Sequence, residues 1–263
     1  MPKPSQRICQ IAPEFNHLSN SLATLEAQFS AGGETLYAVR NLIKRLALGE
    51  HDVVVKSFRP PAGLQAFVYA QFRASKARRS YEHALKLQQL GIATPRPVCY
   101  IEHRQPRALL QSYYVALYYP HDYSMQAVLK GINSAGNPAN SDQNLAALQD
   151  FVRFTYRLHE AGVLHQDHNA GNTLLRKTAA GHDFAIIDIN RMQFKTLSLD
   201  QRLKNFVRLS DNPTVLQCIA ATYAQCIGMD ETTCLQRLML HKRRHWRRIT
   251  LKQSAKRLLQ RKG

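Results

Sequence analysis

The chain reads as an α+β protein of two lobes, a β-rich first half followed by a mainly helical second half. Three observations predict this. Runs of β-branched and aromatic residues crowd the chain before Pro120, helical periodicity dominates after Tyr123, and the change falls near Leu117 to Pro120. With 263 residues, 44% of them hydrophobic, the chain can bury one sizeable core or two lobes sharing a cleft. The expected organisation is residues 1–116 as a β-rich lobe, 117–120 as a hinge, 121–241 as a helical lobe and 242–263 as a basic tail.

From Leu36 to Phe58, the runs LYAVRNLIKRLAL and VVVKSF flank the polar turn Gly49-Glu50-His51-Asp52, which predicts a hairpin. Residues Ala66 to Leu90 lack Pro and Gly, place apolar side chains at Phe72, Tyr81, Leu85 and Leu90, and stop at Gly91, as a helix does. Pro95 and Pro97 then impose an extended chain. VCYIE and LLQSYYVALYY read as two further strands, with the sheet ending at Pro120. Beyond Tyr123 the clearest helix is Leu145 to Glu160, with Leu145, Leu148, Phe151, Val152 and Leu158 on one face, preceded by a loop, GINSAGNPANSD.

A formal net charge of +18 implies a polyanionic partner, among them nucleic acid, nucleotide, a phosphorylated sugar or an anionic membrane. Cys9, Cys99, Cys218, Cys226 and Cys234 are odd in number and scattered, with no Cys-x-x-Cys pair, so they read as reduced structural thiols. The N-terminal sequence lacks the apolar run of a secretory signal and no long apolar span occurs, which places the chain in the cytoplasm.

The most informative segment is LHEAGVLHQDHNAGNTLLRK, in which His165-Gln166-Asp167 is followed five residues after the Asp by Asn172; the strand-like FAIIDIN then carries Asp188. Phosphoryl transfer needs a carboxylate to orient the attacking hydroxyl, and an amide plus a second carboxylate to hold magnesium against the nucleotide phosphates. Asp167, Asn172 and Asp188 supply those three groups in that order. His and Asn are also common turn formers, and His165 reads as a residue packing the loop, because Asp167 is the better-placed base. Upstream, Lys56 ends an apolar strand where a cation would reach phosphates, and Glu82 in the following helix is expected to pair with it. Gly32 and Gly33 in SAGGETLY are a glycine pair that could cover phosphates or merely make a turn, since they do not form G-x-G-x-x-G. The order Lys56, Glu82, Asp167, Asn172, Asp188 is the kinase order, so the expected architecture is a two-lobed protein-kinase-like fold binding ATP and Mg2+.

Lys56, Glu82, HEAGVLHQDHNAGN and IIDINR, together with YAQFRASKARRSYEHALKLQQLGIATPRPVCYIE, resemble the bacterial lipopolysaccharide-core kinases that phosphorylate Kdo or heptose. The resemblance covers most of residues 36–210. It implies ATP-dependent phosphorylation of a lipid A-linked core sugar at the cytoplasmic face of the inner membrane. Carried over, Asp167 is the catalytic base, Lys56 the phosphate cation, Glu82 its partner, and Asn172 with Asp188 the magnesium ligands. Asp188 is followed by Ile189-Asn190 where protein kinases have Phe-Gly, and no Ala-Pro-Glu follows, so a small or lipid-linked acceptor is expected in place of a peptide.

KRRHWRRITLKQSAKRLLQRK, from Lys242 to Lys262, has no acidic residue and interleaves cations with Trp246, Ile249, Leu251, Leu258 and Leu259. As an amphipathic helix it would bind an anionic inner-membrane surface; alternatively, Trp246 and the leucines pack on the helical lobe and the charges are merely solvated. No obligate protein partner is expected, nor nucleic acid. Two other readings remain open: a phosphotransferase of aminoglycoside or choline-kinase type, and a non-catalytic basic kinase-like module that binds RNA.

Overall fold

The computed structural model describes residues 5–61, 68–69, 72–133 and 138–260. They form two compact units, Met1–Pro120 with Ala185–Arg191, and His121–Phe184 with Met192–Gly263.

The first unit is built on a six-stranded antiparallel sheet. Its strands are β1 (Gln6–Ile11), β2 (Glu34–Ala38), β3 (Leu42–Leu48), β4 (His51–Phe58), β5 (Pro97–Gln105) and β6 (Ala108–Leu117), in the order β1-β5-β6-β4-β3-β2. Side chains alternate between faces along β4, so Val53 and Val55 enter the core while Val54 and Lys56 face the other way. Two short helices, α1 (Ser19–Ala23) and α2 (Leu25–Ala31), send Leu22, Leu25 and Phe29 into the same core as Leu48, Val53, Val55, Val98 and Ile101.

Two details differ from the sequence expectation. The run LYAVRNLIKRLAL is itself a hairpin, β2 and β3, broken at the exposed Val39 and Arg40 and the half-buried Asn41. The turn between β3 and β4 holds only Gly49 and Glu50, since Leu48 pairs with His51 and Ala47 with Asp52. Gly49 at φ +62° lets so tight a turn close, and the Asp52 carboxylate, instead of capping a loop, pairs with Arg45 across the ladder.

The expected helix over 66–90 is α3 (Lys76–Gln89), which starts where the Ser75 hydroxyl accepts a hydrogen bond from the Arg78 amide and ends before Gly91 at φ +68°. Residues 66–67 and 70–71 of that expectation lie outside the described residues. Phe72, expected on the apolar face, precedes the helix and is 79% exposed. Helix α3 packs on β5 and β6 through Ala77, Tyr81, Ala84 and Leu87. The sheet ends at Leu117, short of Pro120.

The second unit is mainly helical: α4 (Met125–Asn133), α5 (Pro138–Glu160), α6 (Leu199–Asn205), α7 (Pro213–Ile227) and α8 (Glu231–Gln260). Much of the expected GINSAGNPANSD loop is helix, its first three residues closing α4 and its last five opening α5, with 134–137 outside the described residues. Pro138 at the first position of α5 explains the start, because a missing amide hydrogen costs nothing there. Leu148, Phe151, Val152 and Leu158 of α5 are buried, Leu145 half-buried, and α5 packs on α7, whose core face is Val215, Leu216, Ile219 and Tyr223.

Short strands frame the loop that carries Asp167. They are β7 (Tyr123–Ser124), β8 (Val163–His165), β9 (Thr173–Thr178), β10 (Gly181–Ile186) and β11 (Met192–Phe194), in two small sheets, β10-β9-β7 and β11-β8. The units depart from the expected boundaries in two places. Residues 185–191 belong to the first unit, held where the Ile186 amide donates to the Ala93 carbonyl and the Thr94 hydroxyl to the Ile186 carbonyl. Residue 242 is not a boundary, because α8 runs through it unbroken.

Candidate active site

In the first unit, the Lys56 ammonium lies 2.7 Å from Asp188 Oδ1 and its side chain is 13% exposed. The same oxygen accepts from Asn190 Nδ2 at 2.6 Å. Asp188 adopts φ +56°, the one positive φ outside glycine among the described residues. Asp tolerates this left-handed conformation better than most residues, and the bonds to Lys56 and Asn190 hold it there. The 3-10 turn Ile189–Arg191 that follows is fixed to α3, where His83 Nδ1 bonds the Ile189 carbonyl oxygen at 2.7 Å. Burial lowers the pKa of that imidazole, so it is neutral at pH 7 and donates to the carbonyl.

Glu82 is not the partner of Lys56. It is exposed and bonds Arg78 one turn earlier at 2.7 Å, while its neighbour His83 faces the turn after Asp188. Gly32 and Gly33 do not form a phosphate cover either. Gly32 ends α2, its carbonyl taking a bond from Lys44 Nζ, and Gly33 at φ +94° enters β2 so close to β3 that a Cβ would meet the Arg45 carbonyl at 3.0 Å. Register decides the matter. Arg45 pairs with Glu34 and Val54, whereas Ile43 pairs with Tyr37 and Lys56, so the glycines lie toward the Val53 end of the ladder. The connection at the Lys56 end is the β2–β3 turn, residues 39–41, which contains no glycine to signal it.

In the second unit, Asp167 and Asn172 meet in one loop. Asn172 Nδ2 donates to the Asp167 carbonyl at 2.9 Å, Asn169 Nδ2 donates to it at 3.1 Å, and the Asp167 amide donates to His165 Nδ1 at 3.1 Å. The loop is therefore stitched by its own polar side chains, with Asn169 also capping the 3-10 turn Ala170–Asn172 through the Gly171 amide. Beneath it His165 and His168 are buried, the His168 ring stacked on Phe151 at 5.4 Å. His168 is held well below the usual histidine pKa by burial and then by His165. The structural role expected for His165 agrees with its 1% exposure.

Arg208 is the residue that sequence reading missed. Its guanidinium contacts Asp167 Oδ1 at 2.5 Å from a 3-10 turn well down the chain, and no motif spacing announces it. Asn205 was missed likewise; its amide donates to the His165 carbonyl, and its oxygen meets His159 Nε2 at 3.2 Å.

The donors suit the groups a phosphotransferase handles. A carboxylate at Asp188 and an amide at Asn172, its nitrogen committed to the Asp167 carbonyl so that its oxygen is the ligand end, are hard oxygen donors of the kind Mg2+ takes. An ammonium held against a carboxylate of the metal-binding type suits a phosphate oxygen.

These are the kinds of group that a kinase uses. The chain belongs to the lipopolysaccharide kinase (Kdo/WaaP) family, whose model matches residues 65–227, a span that includes Glu82, Asp167, Asn172 and Asp188 but not Lys56. Among solved structures it is similar to one described as WaaP in complex with acyl carrier protein, with a TM-score of 0.61 and 18% identity over 90% of this chain and 98% of that one. That likeness supports the α+β kinase-like fold. A comparison with curated proteins finds no match. In that similar structure it is WaaP that is bound to a protein.

Proposed function

We propose that this chain is an ATP- and Mg2+-dependent kinase that phosphorylates a Kdo or heptose hydroxyl of the lipopolysaccharide inner core. The observation that carries the reading is the 2.7 Å pair of Lys56 and Asp188, residues far apart in sequence that the kinase order requires to be neighbours. In this reading Lys56 steadies the nucleotide's phosphate oxygens and Asp188 fixes the ammonium. Magnesium, held by Asp188 and Asn172, would neutralise charge on the phosphates. Asp167 orients the acceptor hydroxyl and takes its proton as the new P–O bond forms and the bond to the departing ADP breaks. Arg208 holds the Asp167 carboxylate in one rotamer. Family membership favours a core sugar over the soluble acceptors of aminoglycoside or choline kinases and over RNA binding without catalysis.

The enzyme is further proposed to work at the anionic inner-membrane surface. Among the described residues no helix is long and apolar enough to cross a membrane, and the exposed cations of α8 would supply the attraction.

Purified protein with Mg2+ and ATP should transfer the γ-phosphate to a Kdo-containing lipid A precursor. Asp167→Asn should lower kcat by about a hundredfold or more while leaving ATP affinity within about threefold. Transfer by Asp167→Asn at the wild-type rate would refute the assignment of the base.

A further inference from the structure

The first unit holds a second cluster of ligating side chains that the kinase reading does not use. His17 lies in the 3-10 turn Pro13–Leu18, Glu50 in the β3–β4 turn, and His51 begins β4. One ligand atom from each lies within 4.8 Å of the other two. The spacing in sequence matches no metal motif, so only the fold brings them together.

The backbone beneath them is built tightly. Gly49 at φ +62° closes the hairpin, and a Cβ added there would stand 3.2 Å from Leu18 Cδ2, so the turn carrying Glu50 and His51 abuts the turn carrying His17. Phe15, 3% exposed, packs against both imidazoles, edge-on to His51 at 5.6 Å and tilted to His17 at 6.4 Å. The two imidazole rings are 5.7 Å apart.

His51 Nε2 is shut off from solvent and has no hydrogen-bond partner among the described residues; Glu50 Oε1 lies 3.8 Å from it. A buried polar atom loses its bonds to water on folding, and an orphaned one recovers nothing unless something not yet counted binds it. A phenyl ring on one side cannot. A cation between His17, Glu50 and His51 can, because a neutral imidazole presents a lone pair. Two imidazole nitrogens with one carboxylate oxygen are the donors of a zinc-class ion and leave a fourth tetrahedral position to water, whereas Mg2+ and Ca2+ prefer sets made wholly of oxygen.

We infer that His17, Glu50 and His51 form a binding site for a zinc-class divalent cation, which fastens the N-terminal segment to the β3–β4 hairpin. The ion would tie down the start of the strand that carries Lys56, so its effect is on the stability of the first unit, not on phosphoryl transfer.

The full chain, stripped with chelator and kept in excess Mg2+, is titrated with Zn2+ by calorimetry and melted with and without it. One Zn2+ per chain and a raised melting temperature are expected, since an ion that binds only the folded state stabilises it. His17→Ala and Glu50→Gln, both at exposed positions, should melt as the wild-type chain does without zinc and bind it more than about tenfold more weakly. His51→Ala should abolish the zinc-dependent shift. Cys9→Ser tests the thiols, for Cys9 and Cys99 pack in the same core as Phe15 and Leu18, and it should bind zinc as the wild-type chain does. Co2+ should give visible bands of nitrogen and oxygen coordination without thiolate charge transfer. No zinc binding by the wild-type chain, undiminished binding by a His17→Ala/His51→Ala double variant, or loss of binding in Cys9→Ser would each overturn the site.

Discussion

Glu82 and His83 are neighbours on α3, and a helix turns roughly 100° between neighbours. That rotation sends Glu82 to solvent and His83 to the segment that holds Asp188. The consequence is measurable: Glu82→Gln should leave kcat within about twofold and stability within about 0.5 kcal/mol, the worth of an exposed i, i+4 ion pair. Lys56→Met should cost about a hundredfold or more in kcat, as expected when a charged donor to a transferring group is removed. Equal losses from both would restore Glu82 to the mechanism. A second prediction concerns His159, whose pKa falls to about 4, chiefly through burial, while its ring bonds Tyr223 and Asn205. Below the ordinary histidine pKa of about 6.5 the unfolded chain takes up a proton that the folded chain refuses. Stability is therefore complete above that pH and should fall between about pH 6.5 and 4, by about 1.4 kcal/mol per pH unit for this histidine. Urea unfolding at successive pH values checks it, and His159→Gln should flatten the slope; an unchanged slope would assign the acid sensitivity elsewhere.

Helix α8 shows why a sequence segment and a structural element need not coincide. The basic composition begins at Lys242, but that side chain is 8% exposed, donates to the Val207 and Ser210 carbonyls and pairs with Asp211. Trp246, 47% exposed, also bonds Asp211 through Nε1. The exposed cations Arg243, Arg244, Arg247, Arg248 and Lys252 lie along the same helix, and Leu251 is 69% exposed. The helix thus packs on the fold at Lys242 and carries exposed charge along the rest of its described length. Removing 247–263 should leave the melting temperature nearly unchanged but weaken binding to phosphatidylglycerol vesicles at least about tenfold, each cation near such a surface contributing about 1 kcal/mol. Removing 242–263 should also lower the melting temperature. Undiminished vesicle binding by the shorter truncation would dismiss the membrane role. Elsewhere elements were legible where one force dominated: the alternation of β4 and the apolar face of α5 follow from period alone. The β2–β3 break was not, because Val39 and Arg40 are ordinary strand residues and only pairing reveals the turn.

Across the whole molecule, chemistry was more legible than partnership. Lys56, Asp167, Asn172 and Asp188 are recognisable by residue type and order, and two close pairs among them appear in the structure. Arg208 and Asn205, which hold the Asp167 loop, come from chain well beyond it, so their roles exist only after folding. The unit boundary has the same character, since residues 185–191 join the first unit through bonds to Ala93 and Thr94 that no local pattern encodes. The position of β1 carries a practical corollary. It is the last rung beside β5, whose residues Val98 to Ile101 are almost wholly buried, and it pairs through six consecutive residues. Clipping the chain after Ile11 would unzip that rung and bare a long hydrophobic backbone seam ready to recruit another copy. Such a shortened protein should self-associate in light scattering at concentrations where the intact chain is monodisperse, and a shortened chain that stays monodisperse would show the seam to be self-protecting. Expression tags on this protein are accordingly better placed where their removal leaves that rung uncut.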